Sequence, residues 1–318
     1  HFQWRPEKLF QGKSDIKKMH ASGVRIVLPS KDAQSFAIPT FTLPIELHVN
    51  KATIRNIKVG RSAQHYPLQI ALLTLHGKVT ANELRADIKA HLKQPYAAKL
   101  HLVVSGTLNN YRLKLMAKSR DIDWTIHGTG GRQWVHLTMH QAHTLGGSLN
   151  GDVSFHWAPS YRWKINLNAY RLNLRTFYKE WPQRLSVKLL SQGKLESRYA
   201  IFSLKTDLQT PGVLIQLSGN HDRQWNIKWK ISAAQLSTLL ASYSGALHGM
   251  GTIKGNTLKP VWSGKLTGKD VSLFGYRVGE LSSRWQVDLS YHQTSRLEFN
   301  AQNFETRHMR LPKFSIDA

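Results

Sequence analysis

Tyr161-Arg162-Trp163-Lys164-Ile165-Asn166-Leu167-Asn168-Ala169-Tyr170 alternates almost without a break. Tyr161, Trp163, Ile165, Leu167 and Ala169 are large or apolar; Arg162, Lys164, Asn166 and Asn168 are polar or cationic. Successive side chains of a strand point to opposite faces, so this stretch has one apolar face and one wet face. A helix would scatter the same residues around its axis. Trp157-Ala158-Pro159-Ser160, just before it, is a turn signal.

The same pattern recurs on both sides. Upstream, Val24–Leu28 reads as a short strand ended by Pro29, and Phe41–Val49 alternates, with Pro44 marking an edge or a start. From Ile54 to Val59 the phase slips, which predicts a bulge. Tyr66–Leu75 and Val79–His91 follow, with Gly77 as punctuation. Leu100, Leu102 and Val104 lead into Ser105–Asn110, a hairpin signal, and Tyr111, Leu113, Leu115 and Ala117 return from it. Gly128-Thr129-Gly130-Gly131 reads as a turn. Downstream, alternation resumes at Leu185, Phe202, Val213, Trp225, Trp285, Leu297 and Phe314. Only two stretches break it, and they predict short helical inserts near 174–184 and 233–243. The second has helical spacing at Leu236, Leu239 and Leu240.

Roughly twenty strands joined by short Gly/Asn/Ser turns predict an all-β protein. No helix–strand alternation of a doubly wound fold is present. Composition is even and no linker of boundary length interrupts it. The expectation is therefore one elongated all-β element over 1–318, whose continuous apolar face must be covered by a second sheet, by curling on itself or by a ligand. Twenty strands at ~4.8 Å each would span roughly 100 Å.

Composition narrows the function classes. The chain has 318 residues, 41% of them hydrophobic, so it can bury a large apolar surface. It has no cysteine, which excludes disulfides, Cys-based zinc sites and a Cys nucleophile. Net charge is +25, from 44 Lys+Arg against 19 Asp+Glu, which favours anionic partners. No window reaches the ~18 apolar residues of a transmembrane helix. The chain reads as a fragment of a longer protein.

Catalytic and cofactor motifs do not stand out. Gly249-Met250-Gly251-Thr252-Ile253-Lys254-Gly255 lacks the spacing and the strand-then-helix context of a dinucleotide loop, and reads as a glycine-rich turn. His136, His140 and His143 have ligand spacing for a helix, but on a strand His136 and His140 stand ~13 Å apart. They are expected to be solvated. Asp121 and Asp123 share a strand face beside Arg120, where ordinary charge balance accounts for them. The expectation is a protein without enzymatic activity, metal or cofactor.

The order of several short motifs resembles the TamB-like subunits of the bacterial translocation and assembly module, members of the AsmA-like group of repeating β-groove proteins. The matching text is Leu43–Val49 with Ala52-Thr53-Ile54, then Gly106–Leu113, His127–Gly130, Val153–Pro159, Glu180–Leu185 and Gly249–Gly255. The order matches the middle of such a protein. The resemblance implies a taco-like β-sheet with an apolar trough, in the periplasm of a Gram-negative envelope. The whole protein would be anchored in the inner membrane. It implies phospholipid as cargo, a role in inserting outer-membrane proteins such as autotransporters, and a BamA/TamA-like outer-membrane β-barrel as partner.

Residue pattern and resemblance converge on one surface. Leu113, Leu115, Trp163, Ile165, Leu167, Ile227, Trp229, Val287 and Leu289 are expected to line a lipid groove. Arg112, Lys114, Arg162, Lys164, Lys228 and Lys230 are expected on the opposite face. A structural β-solenoid or adhesin-like domain is the alternative, though the strands lack its fixed period. A basic single-strand nucleic-acid binder is a third reading. Tyr161, Trp163, Trp225, Trp229 and Trp285 alternate in phase with aliphatic residues and count against it.

Overall fold

The computed structural model describes residues 2–4, 13–27, 46–60, 67–94, 97–176, 181, 184–196, 199–289, 295–306 and 309–318. Twenty-one strands are found in them. The first ten are β1 (Phe2–Trp4), β2 (Lys13–Ser22), β3 (Arg25–Val27), β4 (Glu46–Gly60), β5 (Leu68–Val79), β6 (Leu84–Gln94), β7 (Ala98–Gly106), β8 (Tyr111–Lys118), β9 (Ile122–Gly131) and β10 (Trp134–Thr144). Next come β11 (Gly147–His156), β12 (Arg162–Asn173), β13 (Arg184–Glu196), β14 (Tyr199–Thr210), β15 (Val213–His221) and β16 (Gln224–Ala233). The last are β17 (Ser244–Asn256), β18 (Pro260–Leu273), β19 (Tyr276–Asp288), β20 (Arg296–Glu305) and β21 (Arg310–Asp317). The chain is all-β, as its alternation predicts. Pro29, the start of the Phe41–Val49 strand, Tyr66 and most of 177–183 lie outside the described residues.

Two compact units form. One comprises His1–Thr144 with Ser154–Pro159, the other Leu145–Val153 with Ser160–Ala318. In the first, β1 pairs antiparallel with β2, while β2 and β3 run parallel to β4. From β4 to β10 every strand is antiparallel to the next. The second unit is simpler: from β12 to β21 each strand pairs antiparallel with its successor. Tight turns make this possible, as at Thr107–Asn110, where Thr107 and Asn110 exchange both backbone hydrogen bonds at 2.9 and 3.2 Å.

Three local readings are corrected. Gly249–Gly255 is not a turn but the interior of β17, and Gly128–Gly131 closes β9, with the turn at Arg132-Gln133. The helical spacing of 233–243 yields only a 3-10 turn, Leu236–Thr238, because β16 already claims residues through Ala233. Gln235 enters that turn extended, with no side-chain cap, so nothing propagates an α-helix there. A second 3-10 turn, Leu174–Thr176, follows β12.

The phase slip after Ile54 coincides with Asn56, which takes φ 53°. A single left-handed residue turns Ile57 back to the buried side although it stands three positions from Ile54. In the second unit Arg171, Asp270 and Asn303 do the same inside β12, β18 and β20.

Candidate functional site

The register stacks inward-pointing residues of the second unit into level rows. One row reads Leu167, Leu189, Thr206, Leu217, Trp229, Gly251, Gly264, Trp285, Leu297 from β12 to β20. The next reads Ile165, Ser191, Leu204, Gly219, Ile227, Ile253, Trp262, Val287. A third runs Trp163, Gly193, Phe202, His221, Trp225, Gly255, Pro260. In the first unit the rows are Leu75, Ile88, Leu102, Leu115, Ile126, Met139 and Gly77, Ala86, Val104, Leu113, Gly128, Leu137.

Six of the nine groove residues thus share one face of the second unit: Trp163, Ile165, Leu167, Ile227, Trp229 and Val287. Leu289 follows the end of β19, where its N–H donates to the Pro260 carbonyl. Val287 and Leu289 are 39% and 44% exposed, and the others less. Leu113 and Leu115 belong to the apolar face of the first unit. Arg112, Lys114, Arg162, Lys164, Lys228 and Lys230 are all exposed on the opposite faces.

Most row residues are only half-buried, and no large side chain among the described residues is fully buried. A sheet whose apolar face were sealed by a second layer would bury that face. The exception is one end of the second unit. There Val213, Ala233, Leu236, Leu247 and Val271 form a buried core, with the Leu236–Thr238 turn laid across the strand ends.

Glycines shape the half-open face. A Cβ at Gly264 would stand 2.5 Å from the Trp229 ring and 2.7 Å from the Trp285 ring; at Gly251 it would stand 2.6 Å from Trp229. The two indoles lie flat over these glycines and stack on each other, with centroids 5.7 Å apart and planes at 18°. Gly193 makes the same room for Trp163, and Gly130 for Tyr111. Burial pushes the Tyr111 phenol above its ordinary pKa. Aromatic rings draped over strand glycines cover backbone that would otherwise be bare, and leave a smooth apolar surface. The sequence pattern alone does not single these glycines out. Their signal is visible in hindsight: Leu247, Gly249, Gly251 and Ile253 are spaced by two, in phase with the apolar face.

His221, like Thr206 and Ser191, is a polar interruption of this face. It is buried, its Nδ1 donates to the Ala200 carbonyl at 2.6 Å, and its Nε2 meets Thr257 Oγ1 at 2.8 Å. Trp225 and Phe202 flank its ring at 4.6 and 5.4 Å. Among the described residues no three His, Cys, Asp or Glu side chains gather as metal ligands. His136 instead bonds Ser154 Oγ through Nδ1 at 2.7 Å. Asp123 sits opposite Lys118 and His143 in register. Among the described residues no helix is long and apolar enough to cross a membrane.

Among known proteins, no curated protein and no solved structure matches the chain. A family model described as "TamB, N-terminal domain" matches it twice, over residues 71–214 and 204–318. The matched span takes in β6 to β21 and every residue of the rows above from β6 onward. With most of its length so matched, and the all-β architecture in place, the chain belongs to the TamB family.

Proposed function

We propose that this chain is a non-enzymatic lipid conduit of the Gram-negative envelope, working in the periplasm between the inner and outer membranes. Phospholipid acyl chains lie on the apolar rows while headgroups stay in water. The single observation that supports it most is the half-open apolar face of the second unit, smoothed by Trp229 and Trp285 over Gly251 and Gly264. Each CH₂ placed there gains about 0.8 kcal/mol, nearly the same at every level, so a chain is held without one deep trap. Family membership supports the envelope setting and a link to outer-membrane assembly. On that basis the partner is a BamA/TamA-like β-barrel subunit. No cofactor enters the reading.

The test places a photo-crosslinking residue at position 165 or 166 in cells. Ile165 is in the apolar rows and Asn166 on the other face. Phospholipid attached at 165 and not at 166 is the expected result. Equal labelling at both, or none at either, defeats the conduit reading.

A further inference from the structure

At the closed end of the second unit, β12 bulges between Ala169 and Leu172. Arg171 occupies the bulge at φ 56°, a conformation rare and costly for a residue with a Cβ. Its N–H donates to Ser186 Oγ on β13 at 3.2 Å, which holds the bulge in place. A hollow of about 580 Å³ opens beside it, lined by Tyr170, Arg171, Asn173, Arg175, Arg184 and neighbours on β13 and β14.

Three guanidinium groups border this hollow, and no carboxylate lines it among the described residues. Two of the three are tied to backbone carbonyls. Arg184 Nη1 donates to the Gly146 carbonyl at 3.0 Å, and Arg175 Nε to the Trp181 carbonyl at 3.0 Å. The Arg184 bond uses one of the five donors a guanidinium carries. Like charges gathered in one hollow repel, and a bound anion relieves that repulsion. Guanidinium groups match the oxygens of a phosphate in bidentate fashion. The other strongly cationic hollow of this unit, around Lys265, Arg284 and Arg296, differs in kind: it contains Glu298, which pairs with Arg296 at 2.9 Å.

We propose that the Arg171–Arg184 hollow is a binding site for a phosphate group. The bulge puts Arg171 beside Ser186 on the same side of the sheet as Arg184 and Asn173, so two guanidinium-bearing residues share one hollow. Ser186 and Gln209 pair on the face opposite Ala169, Val187 and Leu208, so the hollow opens on the polar side of the strand ends. A lipid whose headgroup reaches round those strand ends would bring its phosphate there. That lipid source rests on the conduit reading; a soluble phosphate source does not.

The experiment titrates the whole 318-residue chain, with labelled arginine side chains, against inorganic phosphate and against monomeric dihexanoyl phosphatidylglycerol. Nε–H resonances of Arg171 and Arg184 should shift. The R171Q/R184Q variant should bind phosphate about tenfold more weakly, about 1.4 kcal/mol. R112Q/K114Q, on the other unit, removes equal charge and should leave affinity within about twofold. R171K/R184K keeps charge without the fork and should fall between. Tighter binding of phosphatidylglycerol than of phosphate assigns the site to lipid; equal binding assigns it to soluble phosphate. Unchanged affinity in R171Q/R184Q, in a variant whose circular dichroism matches the parent, overturns the site, as does equal loss in R112Q/K114Q. Lipid labelling at position 165 is read separately, so a failed conduit and a failed phosphate site leave different results.

Discussion

The two ends of the strands in the second unit are built oppositely. At one end β12, β18 and β20 carry the left-handed residues Arg171, Asp270 and Asn303 near their C-terminal ends. Small and aliphatic residues there are sealed: Ala233, Leu236 and Val271 are at most 3% exposed. At the other end lie Trp163, Phe202, Trp225, Trp262, Val287 and Leu289. Trp262 is 51% exposed, and Leu258 in the adjoining turn is 87% exposed. Both ends are apolar, but only one is closed. Apolar area left in water contributes nothing to folding, so the closed end carries stability and the open end is available to a ligand.

The largest test of this contrast is a pair of truncations. Leu236→Ala truncates a side chain of the buried core and should cost about 2–4 kcal/mol, read as a lower urea midpoint. Trp262→Ala should cost under about 1 kcal/mol, since half of that ring is already wet. Its effect should appear instead as reduced lipid labelling at position 165. Equal stability losses would erase the distinction between the ends.

The middle of the face extends the comparison. Gly264→Val puts a branched side chain where Trp229 and Trp285 lie, and should cost roughly 1–3 kcal/mol. Adding Trp229→Ala removes part of the obstruction, so the double variant should lose less than the sum of the singles. Additive losses would mean that the indoles do not depend on the missing Cβ.

Polar anchoring at the open end is weaker. Thr257→Val leaves His221 Nε2 without its 2.8 Å partner, and should cost about 1 kcal/mol or less. The imidazole ¹⁵N resonances of His221 should move, while those of His248 stay in place. An unmoved His221 would remove Thr257 from the account of this end.

Glu196, in the same end, gives the smallest effect. The Lys194 ammonium hydrogen-bonded to it holds its carboxyl below the usual carboxylate range. A depressed carboxylate contributes stability above its unfolded pKa, and that contribution is lost as pH falls through the folded value. Both groups are exposed, so the change should be slight and should fade with salt. A carboxyl NMR titration of Glu196 with and without Lys194→Gln checks it; an unaltered midpoint contradicts the pairing.

Most of this architecture is legible in the sequence, because a period of two states directly which side chain shares a face with which. Trp163, Ile165 and Leu167 on one side and Arg162 and Lys164 on the other needed no further information. What was hidden is cross-strand. Gly251 in isolation looks like a turn; only its register with Trp229 explains it as space for a ring. The alternation at Val287 and Leu289 gave their face and not their exposure, which depends on how far Trp262 and the adjoining turn cover them. Arg171 and Arg184 are thirteen positions apart and meet only because β12 bulges against β13.

From β12 to β21 each strand is hydrogen-bonded to its neighbours in sequence and to no other strand of the described set. Such a ladder has no obligatory length. Removing one strand would reverse every later one and exchange its closed and open ends, whereas removing a hairpin preserves both. Evolution can therefore lengthen or shorten this sheet in steps of two strands, keeping the apolar rows in phase. The same locality lets strands pair in the order they are made, without waiting for the far end of the chain.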